Sequence, residues 1–76
     1  MKTSLDTVNL NTSVKVNSLN CIGSIKRRLL DLGFIEGATI IPVLQSPAGE
    51  LNAYEIRGTL IAIRDEDARN IIVENQ

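Results

Sequence analysis

A chain of 76 residues, 43% of them hydrophobic, is long enough for one small folded unit and too apolar to remain disordered. Its 8 basic and 9 acidic residues leave a formal net charge of -1, which argues against nucleic acid held by counterion release and against a membrane surface held by a basic patch. The absence of histidine and the single cysteine, Cys21, exclude imidazole-based triads and any intrachain disulfide.

Met1 to Asn11 has no long apolar core and does not resemble a signal peptide. Leu5, Val8 and Leu10 are scattered among polar residues, so this start is expected to be loose and to pack down near Val8. Ser13 to Leu19 reads as a strand, because Val14 and Val16 alternate with Lys15 and Asn17. Leu19 breaks the alternation, which predicts a bulge or a strand end near Ser18.

Ser24 to Leu32 predicts a helix with Ser24 as N-cap and Gly33 as the left-handed stop. Ile25, Leu29 and Leu32 form its apolar stripe, whereas Leu30 projects between Lys26 and Arg27 on the polar side. Arg27 and Asp31 stand one turn apart and suit a weak ion pair, and Arg28 flanks the stripe.

Glu36-Gly37 is a turn, and Ala38 to Gln45 is the second strand. Pro42 cannot donate to a ladder, so that strand should lie at an edge or bulge there. Ser46 to Glu50, with Pro47 and Gly49, is a turn. Asn52 to Arg57 and Leu60 to Arg64 form a hairpin about Gly58, with Tyr54, Ile56, Ile61 and Ile63 inward. Asp65 to Ala68 suits one helical turn with acids at its start, and Ile71 to Glu74 is the last strand. About five short strands with one inserted helix predict a mainly β domain over residues 1–76, a small closed barrel.

Arg28-Leu29, Leu32-Gly33 and Glu36-Gly37 make an RLxxLGxxxG run, followed by Pro47, Gly49, Arg57-Gly58, Ile61, Ile63-Arg64, Ala68, Ile71 and Val73. This ordered series resembles the FeoA family from about Val8 to Glu74. The resemblance implies an SH3-like barrel with a helix after its first strand. It implies a cytoplasmic accessory protein of ferrous iron uptake that docks on the FeoB permease and its GTPase domain, without catalysis and without a cofactor. The same fold occurs in iron-dependent repressors, so the alternative is a stand-alone domain of that type that binds a divalent metal or a regulator.

No phosphate loop of the GxxxxGK[ST] kind is present. Cys21 has no histidine to activate it and reads as a small buried side chain. Asp65, Glu66 and Asp67 read as helix-start acids, and carboxylate-only sites suit hard cations better than Fe²⁺, so no metal ligand is assigned. Arg57 and Arg64 read as surface partners of acids such as Glu55 or Asp65.

The longest apolar run, Ile40 to Leu44, is far below the ~20 residues that span a bilayer. The chain is therefore expected to be soluble and to reach any membrane process through a protein. Ile41, Leu44, Leu60 and Ile72 oppose the inward set Ile40, Ile61, Ile63, Ile71 and Val73, which leaves apolar side chains on the outer face. Lys26, Arg27 and Arg28 form either a solvated face or a docking face for an acidic surface, with Leu30 as apolar anchor. The expected partner-binding set is thus Lys26, Arg27, Leu30, Ile41, Leu44 and Leu60, and the outer apolar residues also suit self-association.

Overall fold

The computed structural model describes residues 2–75. Met1 and Gln76, the outermost positions of the expected 1–76 unit, lie outside the described residues. The elements in chain order are β1 (Lys2–Ser4), a 3-10 turn (Leu5–Thr7), β2 (Val14–Leu19), α1 (Gly23–Asp31), β3 (Thr39–Gln45), β4 (Leu51–Ile56), β5 (Thr59–Arg64), α2 (Asp65–Ala68) and β6 (Ile71–Asn75). The six strands pair antiparallel in one sheet of order β1-β6-β2-β3-β4-β5.

The sheet curls around one core. Leu5, Phe34, Tyr54, Ile63 and Val73 come from both of its ends and share a single buried cluster. The ladder is not closed, because β1 and β5 are the outermost strands of the order. α2 follows β5 and packs against both that strand and the 3-10 turn, so it covers the open side.

The first segment is the main correction. It is not loose: β1 pairs with β6, and Leu5 is fully buried. The sheet thus has six strands rather than about five, and α1 follows the second strand. Lys2-Thr3-Ser4 carries no apolar alternation, since a three-residue edge strand can be held by its ladder alone.

Both predicted irregularities are present. The β2–β6 register shifts between Val16 and Ser18, and the β3–β4 register shifts between Pro42 and Leu44. β3 is not an edge strand, yet β2 accompanies it only at Thr39 and Ile40. Beyond that point the loop takes over, and the Asn11 N–H donates to the Pro42 carbonyl at 2.7 Å. Pro42 therefore sits where no neighbouring strand asks for its missing N–H.

α1 begins one residue earlier than expected. Ile22, not Ser24, holds the N-cap position, and no side chain caps it. The stop is as the sequence demands. The Phe34 N–H donates to the Leu29 carbonyl and the Gly33 N–H to the Leu30 carbonyl, each at 3.0 Å. That is the Schellman arrangement, with Gly33 at φ 109° and the buried pair Leu29 and Phe34 as its apolar contact. Of the expected stripe only Leu29 is buried, while Ile25 and Leu32 are exposed. Nine residues make too short a helix to need a wide apolar face, and Leu29 with the cap fastens it.

β4 and β5 meet through a two-residue turn, with Ile56 opposite Thr59. Arg57 and Gly58 have φ of 52° and 77°, the pattern of a type I′ hairpin. Gly58→Val should cost about 1–3 kcal/mol, because a β-branched residue resists positive φ. Arg57→Gly should gain up to about 1 kcal/mol by relieving the same strain. Urea denaturation midpoints of the two variants check both signs.

Candidate functional site

The outer face of β3, β4 and β5 is built by register. Ile41 faces Glu55, which faces Leu60; Leu44 faces Ala53, which faces Ala62; and Leu51 faces Arg64. The β3 irregularity between Pro42 and Leu44 brings Ile41 and Leu44 to one side, and period-2 alternation on β4 and β5 places their partners there, although Ala53 is itself buried. Leu44 is 64% exposed, Leu60 65% and Leu51 50%, whereas Ile41 is half-buried. Each of these leucines forgoes part of the about 1.5–3 kcal/mol that full burial would give.

Lys26, Arg27 and Leu30 lie elsewhere. With Gly23 and Asp31 they line a shallow cavity of about 360 Å³ on α1. Leu30 is 40% exposed, much as Ile25 and Leu32 of the stripe are. The predicted Arg27–Asp31 pair is absent among the described ion pairs. The structure therefore gathers Ile41, Leu44 and Leu60 on the sheet and Lys26, Arg27 and Leu30 on the helix, as two groups. A cavity of about 260 Å³ lined by Arg28, Leu32, Leu51 and Ala62 lies where α1 ends beside the sheet face.

Sequence reasoning missed Leu51, Ala53 and Ala62 as parts of this face. The signal was present, since the residues of one strand that alternate with Asn52, Tyr54 and Ile56 must point outward. Ile72, expected in the outer group, lies on β6 opposite Ser4 and Ser18, with β2 between it and β3. Ile61 is half-buried against the core rather than fully inside, and Cys21 is likewise half-buried.

The charged residues are arranged differently from the expectation. Arg28 reaches from α1 to Asp67 of α2, whose side chain is nearly buried. Arg64 pairs with Glu66 at 3.5 Å, and Arg69 with Asp65 at 3.4 Å. Arg57 joins no ion pair among the described residues. The acids of α2 are thus each matched by an arginine. Among the described residues no group of three His, Cys, Asp or Glu side chains is placed to hold a metal ion. This donor set does not fit a resident transition metal.

A polar pair lies inside the barrel. The Asn52 amide donates to the Tyr54 hydroxyl at 3.3 Å and to Asp65 Oδ1 at 3.4 Å. Burial pushes the Tyr54 phenol above its ordinary value of 10.0; the Asn52 bond opposes that, and the Asp65 and Asp6 carboxylates add to it.

The sequence profile of the FeoA domain matches residues 3–75. The chain belongs to the FeoA family. It is similar to a FeoA-like protein of Clostridium acetobutylicum at 27% identity, with a TM-score of 0.88 over 97% of this chain and 86% of that one. It is similar to the FeoA of Stenotrophomonas maltophilia at 31% identity, with a TM-score of 0.82 over 93% of this chain and 88% of that one. That protein is a zinc complex described as a prokaryotic SH3 domain protein. A manganese-dependent transcriptional repressor matches at 10% identity and a TM-score of 0.89, over 99% of this chain and 42% of that one, which shows the shared fold alone. No curated protein sequence matches the chain. Membership carries the mainly β, SH3-like architecture and the link to ferrous iron transport.

Arg28→Ala should cost about 1–3 kcal/mol, because it strands a nearly buried carboxylate at Asp67. Asp67→Asn should cost less, since the exposed Arg28 head can turn into water. Adding Asp67→Asn to Arg28→Ala should recover part of the loss, which a double-mutant cycle in urea measures.

Tyr54 is the only tyrosine, so an ultraviolet titration reports it alone. Its raised value favours the neutral phenol in the folded state. That contribution is complete below the ordinary 10.0 and is lost as pH climbs through the raised value. Stability should therefore fall in strong alkali, and Tyr54→Phe should remove that slope.

Proposed function

We propose that the chain is a non-enzymatic accessory protein of ferrous iron uptake, acting in the cytoplasm by docking on a FeoB-type permease and its GTPase domain. The observation that carries this is the exposed apolar face of β3, β4 and β5, centred on Leu44 and Leu60. Apolar side chains left in rows on a rigid sheet serve contact rather than chemistry. Lys26, Arg27 and Leu30 on α1 offer a second, cationic patch with an apolar centre, suited to an acidic surface. The Stenotrophomonas protein, proposed as a ferrous iron transport activating factor, supports the same role. No helix among the described residues is long and apolar enough to cross a membrane, which supports action through a partner.

A second reading is a stand-alone domain of the iron-dependent repressor type that binds a divalent metal or a regulator. The zinc complex of the Stenotrophomonas protein supports it. It requires tight metal binding by the purified chain, which calorimetry with Zn²⁺ or Mn²⁺ measures.

The docking test is a pull-down of the permease's cytosolic domain by the whole chain. Leu44→Asp, Leu60→Asp and Leu30→Asp are all expected to keep the fold, since each side chain is exposed. The two sheet variants should lose binding at least ~10-fold, as an apolar contact replaced by a charge commonly costs over 1.4 kcal/mol. Leu30→Asp should weaken it as well if α1 shares the interface. Full binding by all three variants would sink the proposal.

A further inference from the structure

The 3-10 turn and β4 present unpartnered oxygens to one small cavity. Asp6 Oδ1 and Asn52 Oδ1 are shielded from solvent and have no hydrogen-bond partner. Asn52 as a whole is only 5% exposed. Both residues, together with Tyr54, Val8, Pro42 and the exposed Leu10, Leu44 and Gln45, line a partly open cavity of about 10 Å³. That is room for one guest the size of a water molecule.

We propose that this is a built site for a single buried water molecule, which bridges Asp6, Asn52 and Tyr54. The bonding inventory selects the guest. Two acceptors lack donors, and the Tyr54 hydroxyl, which accepts from Asn52, still has its own proton to give. A water molecule donates twice and accepts once, giving the three bonds common for buried water. An alkali cation would leave the phenol proton without an acceptor and would meet Val8 and Pro42 on its remaining sides. Asp6 is only half-buried, so its charge needs no internal counterion. The water ties the turn after β1 to β4 across the open side of the barrel, where no strand ladder does so.

High-resolution diffraction from crystals of the whole chain, grown in sodium and separately in rubidium chloride, tests this. The expected result is one ordered solvent peak within hydrogen-bond distance of Asp6, Asn52 and Tyr54, with no anomalous signal in rubidium. An anomalous peak overturns the proposal. So does a cavity without density in which Asn52 has turned its nitrogen onto Asp6. In solution, magnetic relaxation dispersion of the solvent should detect one long-lived water molecule. Tyr54→Phe keeps the ring in the core and should abolish or sharply shorten that signal. Asp6→Asn supplies a second check without touching the core. A signal unchanged in both variants overturns the assignment.

Discussion

An unclosed ladder is the constraint on which the rest of this structure depends. A barrel of short strands removes its edges only if the last pair forms, and here β1 and β5 remain apart. What fills the open side is side-chain packing. Leu5 in the 3-10 turn and Ala68 in α2 are both fully buried, and the two elements pack together. The Arg28–Asp67 pair then fastens α1 to α2. A domain with stability of about 4–11 kcal/mol has little to spare, so each of these small joints matters.

The same economy explains the surface. The core takes one side chain from α1 and inward residues from β2 to β6 but none from β1, and nothing is left over to cover β3, β4 and β5 from outside. A second layer would normally bury such a face. Its absence leaves Leu44, Leu51 and Leu60 in water, each at a cost the isolated fold does not recover. A partner of matching shape, as proposed, would recover it. The acids that might have suggested metal chemistry are instead matched one by one with Arg28, Arg64 and Arg69.

Much of this was legible in the residues. Alternation located β2, β4, β5 and β6, and Gly33 fixed the end of α1 through a backbone geometry that few other residues adopt. Pro42 and Leu19 marked the two irregular places, and of the alternatives each allowed, an edge or a strand end against a bulge, the structure takes the register shift. β1 was not legible, since its three polar residues are held by hydrogen bonds to β6 and not by burial. The burial of the α1 stripe was misjudged for a related reason. Periodicity reports which residues are apolar, but how many of them the rest of the fold can reach depends on long-range packing. Of Ile25, Leu29 and Leu32, it reaches one.

The long-range pairings mark the same boundary. Arg28 and Asp67 are separated by 39 positions, and no local pattern links them. Asn52 looks in sequence like any polar residue at a strand start, yet the register opposite Ile63 turns it inward beside Tyr54. A buried amide in so small a core is tolerated only where its neighbours supply hydrogen bonds. Tyr54 on β4 and Asp65 at the start of α2 are those neighbours. The polar interior is thus a product of topology, whereas the apolar exterior could be read one strand at a time.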